Sequence, residues 1–346
     1  MHQKLIINFI LSCSFYFLSA FFSISFSQNE TPIGQMEDII NDVLREDLRT
    51  KFQPKTKIIL NDKVITKEDS LANAEFDDGS LISIGPDSSV TIDQWIYNPE
   101  TTLTDGAINL GKGFLRYASS SSGVNKVKLT SNAVTLSLRG TVLDLAKDRD
   151  QSAVGVLNGE VEAITKFGNF IIPEGSFYLV SSNNPQGSIL TSPPEFLLNK
   201  INEASDIASS RGKNLIFNDM YYPKMPKGQL LELSTNIGKI TFCMKEKDDN
   251  ELLSSFLSYI DGQPIALKLA KSISNYALLF NHIDFRSKKS LSSSNDLFFF
   301  GSLGLIKQNI NVGGQLFISL NRYKSLDGEH NEIARANSGL DILYKI

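Results

Sequence analysis

The chain has 346 residues, 41% hydrophobic and 21% charged, the balance of an ordinary globular protein of about two domains. Its 34 basic and 38 acidic residues give a net charge of −4. That excludes the polybasic surface that recognises nucleic acid, and no nucleic-acid partner is expected.

Leu5 to Phe26 carries no charged residue, and Lys4 is the only charge before Glu30. With Ser25-Phe26-Ser27 as a small-x-small cleavage site, residues 1–27 read as a secretory signal and Gln28 as the mature N-terminus. The run is also long enough to span a bilayer if it stays uncleaved. Removing it leaves Cys243 as the lone cysteine, which excludes an internal disulfide and reads as a small buried hydrophobe.

Residues 28–54 are polar, with Met36, Ile39, Ile40, Val43 and Leu44 recurring at helical spacing, so an N-terminal helical segment is expected there. From 55 to 182 short apolar runs alternate with turn signals. Asn61-Asp62, Asp77-Asp78-Gly79, Asp105-Gly106 and Asn158-Gly159 each stand between two such runs, as the turns of β-hairpins would. Within this region Val134-Thr-Leu-Ser-Leu138 alternates cleanly, and the phase then changes at Gly140 so that Leu143 and Leu145 carry the apolar face. A strand cannot change phase without an extra residue or a bend, and glycine suits either. Ser119–Gly123 reads as a loop. Residues 183–211 read as a linker, rich in proline (Pro185, Pro193, Pro194), followed by a helix whose face is Leu197, Leu198, Ile201, Ala204 and Ile207. Residues 212–346 read as a second, mainly β domain of unknown type, ending in a strand with Leu340, Ile342, Tyr344 and Ile346 on one face, as the last strand of an outer-membrane barrel would have.

Several pieces of the first β region recur in a fixed order. They are Glu75-Phe-Asp-Asp-Gly-Ser-Leu81, Ile84-Gly-Pro-Asp-Ser88, Val90-Thr-Ile-Asp93, Trp95-Ile-Tyr-Asn-Pro99, Gly111-Lys-Gly-Phe-Leu-Arg-Tyr117, Leu138-Arg-Gly-Thr-Val-Leu-Asp144, Asn158-Gly-Glu-Val161 and Pro173-Glu-Gly175. On these, residues 56–180 resemble the FecR-like domain of Gram-negative bacteria. The resemblance implies a mainly β fold: an antiparallel or solenoid-like FecR-like domain, followed here by the second β domain. Well-known members join such a periplasmic domain to a membrane helix and a cytoplasmic segment that contacts a sigma factor. With only Met1–Lys4 ahead of the apolar run, the resemblance implies the periplasmic half alone. Asn98 and Leu143 depart from residues common in the family.

No phosphate-binding glycine loop, metalloprotease or serine-hydrolase motif is present. Outside the signal the histidines are His282 and His330, far apart and without a compact motif. Asp78, Gly79, Gly85, Pro86, Gly140, Thr141, Asn158 and Gly159 read as frame residues. Arg139 reads either as half of a structural ion pair, with Asp144 or Glu160, or as a ligand contact. Trp95 and Tyr97 share a strand face and read as core or as a platform for a sugar ring. Lys147, Asp148, Arg149 and Asp150 read as a solvated loop. The expected function is a non-catalytic periplasmic, secreted or surface protein that binds an envelope protein or glycan and needs no cofactor. Membrane association, or an envelope hydrolase within 212–346, stand as the alternatives.

Overall fold

The computed structural model describes residues 31–46, 50–120, 124–131, 134–216, 222, 225–246, 251–260, 267–273, 277–283, 297–306, 314–322, 324–327, 330–343 and 345. The expected signal segment lies outside the described residues. The protein is mainly β, with two sheet domains, the first running from Pro32 to Leu190 and the second from Leu230 to the C-terminus.

The first domain is built on one long strand, Leu103–Ala118. Its first half pairs with Ser89–Asn98 and, in parallel, with Val124–Ser131. Its second half pairs with Leu81–Ile84 and Val142–Lys147. The strand thus belongs to two sheets that face each other, and it bends between them at Gly113 (φ 90°). Burial follows this geometry. Thr104, Gly106, Ile108 and Leu110 are buried alternately, whereas Gly113 to Ala118 are buried on both faces. One face of that second half meets the opposite sheet through Leu115 and Tyr117, and the other lies under the helix Glu195–Ser210, where Phe114 packs with Leu197 and Ala204. Each such large apolar side chain, fully buried, stabilises the fold by roughly 1.5–3 kcal/mol.

Passages from one sheet to the other share a backbone signature. The chain crosses at Asn41, Asn61, Asp69, Asp87, Gly113, Gly140, Gly159 and Gly175, and all eight have φ between 49° and 90°. The phase break at Gly140 is one of these crossings. Val134–Leu138 pairs in one sheet with Glu160–Thr165, and Val142–Lys147 pairs in the other with Gln151–Asn158. The two-stranded ribbon folds over at Gly140 and Gly159, with a register shift between Val142 and Leu143. A Cβ at Gly140 would meet nothing within 4 Å, so only the left-handed backbone resists substitution. Gly140→Val is expected to lower stability by about 1–3 kcal/mol in a urea titration. An unchanged midpoint would mean that the bend does not require glycine.

The structure corrects several expectations. Residues 28–54 hold no helix among the described residues; Pro32–Ile40 and Val43–Arg45 are strands. A bulge between Met36 and Asp38 puts Met36 opposite Ala74 and Ile39 opposite Ala72, on one face three residues apart. The bulge thereby imitates helical spacing. Asp77–Gly79 does close a hairpin. Asn61-Asp62 and Asn158-Gly159 instead join strands of different sheets. Asp105-Gly106 lies inside the long strand, where Gly106 faces Trp95 across the ladder and leaves room for its ring. Residues expected to be linker include the strand Asn184–Leu190, which pairs with Phe177–Ser181; Pro185 is tolerated there because the strand is an edge. The helix Glu195–Ser210 follows as expected, except that Leu198 is exposed.

In the second domain Leu230–Thr235 and Gly238–Met244 form a hairpin, not one strand, and a helix, Glu251–Ile260, packs Leu253, Phe256 and Leu257 against the sheet. Leu340–Leu343, expected to begin a terminal strand, is a short helix with Leu340, Ile342 and Leu343 buried; Tyr344 and Ile346 lie outside the described residues. The preceding strand, Asn331–Ser338, pairs with both Gly238–Met244 and Ser302–Ile306. Two of its charged residues are buried and paired: Arg335 donates to Glu332 at 2.6 Å, and Glu332 also accepts from Ser302. Cys243 is half-buried, and His330 packs its ring near Phe317. The two domains touch where Ile189 packs against the second core, and again around Glu174 and Gly175. The Glu174 carboxylate accepts from the Gly159 amide at 2.9 Å and from Arg322 at 3.2 Å. The Phe299 ring, packed onto Gly175, has the guanidinium groups of Arg322 and Arg335 at 4.7 and 5.3 Å from its centre.

Candidate ligand-binding cleft

The residues singled out in the sequence fall mostly on the frame. Asp78 is buried and accepts from the Ser80 amide, the Ser80 hydroxyl and Thr104 at 2.8–2.9 Å, so it ties its own turn to the long strand. Gly79 supplies the left-handed position of that turn. Gly85 donates its amide to Phe114, and Pro86 is buried beside it. Thr141 is buried at the Gly140 crossing, and Asn158 and Gly159 are held by Glu174. Trp95 is buried and stacked on Phe76 at 3.9 Å, which makes it core and not a platform; Tyr97, two residues on, is half-buried. Arg139 is exposed and pairs with neither Asp144 nor Glu160, because the chain turns away from the core at that residue.

The partner of Asp144 is Arg116. The two form a bidentate pair at 2.7 and 2.8 Å, both almost wholly buried. Tyr222 donates to the same carboxylate at 2.8 Å, and Arg116 also reaches the Ile216 carbonyl. Burial pulls the Arg116 pKa down, and the Asp144 charge more than offsets this, so its net shift is upward. Burial, with the Asp144 charge, pushes the Tyr222 phenol well above its usual range. The cluster has the residue types of a reaction centre, but each side-chain atom of the carboxylate is occupied. It holds Ile216 and Tyr222 to the sheet, where Asn73 and Ser83 also bond Asn214 and Ile216.

A cleft of about 520 Å³ opens at the end of the first domain opposite the Gly140–Gly159 fold, between the free ends of the two sheets. The volume lies within the usual range for small-molecule sites. Below it lie the apolar side chains Leu129, Leu136, Leu145, Val154 and Tyr178. The next layer outward is Ser131, Val134, Lys147, Ser152 and Val180, where a hydroxyl–hydroxyl bond of 2.9 Å from Ser131 to Ser152 joins the sheets. Thr130, Thr135, Thr165, Ser181 and Ser182 add hydroxyls around the walls, with Arg149, Asp150 and Lys166 at the rim.

Lys147 is therefore not part of a solvated loop. It ends the strand Val142–Lys147 on the same face as Leu143 and Leu145, and it is 7% exposed. The signal was in the sequence: period 2 carries 143, 145 and 147 to one face. Among the described residues its ammonium has no hydrogen bond or ion pair. Burial alone lowers its pKa, so the folded chain holds this proton less tightly than the unfolded one. The charge therefore costs stability below the folded-state pKa, and the cost fades as pH rises from there toward the ordinary lysine value. The adjacent Asp148 does not help, because its carboxylate accepts from the Asp150 and Gln151 amides of its own turn at 3.1 and 3.3 Å.

A model of the family described as FecR protein matches residues 62–162. No curated protein matches the chain. Solved structures similar to it include two crystal structures of a "putative anti-sigma factor" from Parabacteroides distasonis ATCC 8503, at 12% and 13% identity and a TM-score of 0.32 each, covering 61% of this chain and 95% of that one. The family match takes in the long strand and the folded ribbon, while strands on either side of it, such as Pro32–Ile40 and Phe177–Ser181, complete the sheets. A FecR-family domain is thus present in this chain over residues 62–162.

Proposed function

We propose that the protein is a non-catalytic binding protein of the cell envelope, and that its FecR-family domain takes a ligand in the cleft at its open end. The observation that carries this reading is the cleft itself, a hydroxyl-rich mouth ending an otherwise apolar core. Hydroxyl groups that both donate and accept suit a polar ligand such as a glycan or the polar end of an envelope protein. The buried acids Asp78, Asp144, Glu174 and Glu332 are each committed to partners in the frame, whereas general acid–base work needs a group free to transfer a proton.

The family domain and the uncharged Leu5–Phe26 run support a periplasmic or cell-surface location. No helix among the described residues is long and apolar enough to cross a membrane. Of the alternation that favours a membrane-associated C-terminus, Leu340 and Ile342 fall on a short helix and are buried.

The test is to fractionate cells producing the whole chain and to screen the purified protein by thermal shift against sugars, sugar acids and peptidoglycan fragments. The expected result is recovery from the envelope with an N-terminus near Gln28, and a ligand that raises the melting temperature and is recovered unchanged. Recovery from the cytoplasm, or turnover of a bound compound, would sink the reading.

A further inference from the structure

We propose that the cleft recognises an oxyanion, the carboxylate or phosphate group of a small molecule, with Lys147 as its counter-charge. The inference rests on the cleft being the binding site and adds the chemistry that it selects. Lys147 is nine-tenths buried along its stem, and its ammonium, partly withdrawn from water, favours an anion beside it. Among the described residues no carboxylate lies within ion-pair distance of it. Asp148 is spent on its turn, and Glu160 and Glu162 lie on the strand Glu160–Thr165 outside the cleft lining. Asp150 is an exposed rim residue and makes no ion pair with Lys147. The ammonium therefore faces the open cleft with no ion pair among the described residues.

The neighbouring groups complete an oxyanion site. Ser131 donates its hydroxyl proton to Ser152, which leaves Ser152 a proton to donate onward. Charge-assisted bonds from an ammonium and a hydroxyl to one anionic group are the strong class of hydrogen bond. At the rim Arg149 and Lys166 are offset by Asp148 and Asp150, which leaves the Lys147 ammonium as the net positive charge of the lining. The apolar Val134, Ile164 and Val180 leave room for a nonionic body behind the anionic group.

The experiment uses the whole chain and titration calorimetry at fixed ionic strength, with glucuronate, inorganic phosphate and neutral glucose as probes. Wild type is compared with Lys147→Met, Lys147→Gln and the cleft-filling Thr135→Trp, and each variant's melting temperature is measured. We expect glucuronate or phosphate to bind wild type better than glucose, the stronger of the two identifying carboxylate or phosphate as the source. Both Lys147 variants should weaken that anion by at least about tenfold while melting no lower than wild type, since a burdensome charge has been removed. A lysine that merely packs the core would instead lower the melting temperature when replaced. The inference is overturned if neither anion binds, or if anions bind Lys147→Met as well as wild type. If glucose binds wild type at least as tightly as either anion and is lost in Thr135→Trp, the cleft is the binding site and the oxyanion assignment fails. If no probe responds to Thr135→Trp, the assignment of the cleft fails with it.

Discussion

Asp144→Asn is expected to lower the stability of the chain by about 3–5 kcal/mol, measured by urea titration with tryptophan fluorescence from Trp95. The change keeps the shape and removes the charge, so Arg116 stays buried with a neutral amide in place of its carboxylate. The loss is large because the guanidinium has no route to water: one face of its sheet meets the apolar core, and the other lies under the helix and the segment that Tyr222 anchors. Hydrogen exchange should rise in the described part of 213–222, which is held by Arg116, Asn73 and Ser83. Removing both charges, as Arg116→Met with Asp144→Leu, should restore most of the stability, because well-packed apolar groups replace buried ion pairs at little cost. A loss below about 1 kcal/mol in Asp144→Asn would show that the pair is solvated and weak.

Gly113→Ala is expected to cost about 2–6 kcal/mol by the same measurement, combining a strained backbone with overpacking. At φ 90° an L side chain is disfavoured, and its Cβ would stand 2.6 Å from the Ser88 Cα. Ser88 cannot step back: its hydroxyl accepts from the Phe114 amide at 2.9 Å and donates to the Pro86 carbonyl at 3.0 Å. Gly140→Ala provides the contrast, with the same backbone problem but open space around the new atom. If the two alanine variants lose equal stability, the close approach of Ser88 to the long strand is not what demands glycine.

Several features could be read from the chain because they depend on local pattern. The alternation of Val134, Leu136 and Leu138, the bend at Gly140 and the face of the helix from Leu197 to Ala208 are of this kind. The misreadings arose where one local signal serves two geometries. Asn-Gly and Asn-Asp provide left-handed backbone, which a hairpin turn and a crossing between sheets both need, and only pairing partners distant in sequence tell them apart. The strand Asn331–Ser338 is hard to read because Glu332 and Arg335, buried as a pair, interrupt its apolar residues Ile333, Ala334 and Ala336. The Arg116–Asp144 pair was legible in part: Phe114-Leu-Arg-Tyr-Ala118 and Val142-Leu-Asp-Leu-Ala146 are two apolar runs, each with one central charge, of opposite sign. Lys147 was passed over because the charges that follow it made the whole stretch look like a loop.

The long strand Leu103–Ala118 also governs how the first domain comes apart. A sandwich whose sheets are joined only by loops can lose one sheet while the other persists as an intermediate. Here the same run of backbone forms the ladder of both. Freeing its first half exposes Ile108 and Leu110 and leaves the second half tethered to a disordered chain, with its bend at Gly113 no longer fixed by Ser88. The cost of opening either sheet is thus shared by the other, and slow exchange should extend over both as one cooperative unit. The cleft adjoins this bend, because Lys147 is the ladder partner of Gly113, so a ligand held there would brace the part of the molecule on which its persistence depends.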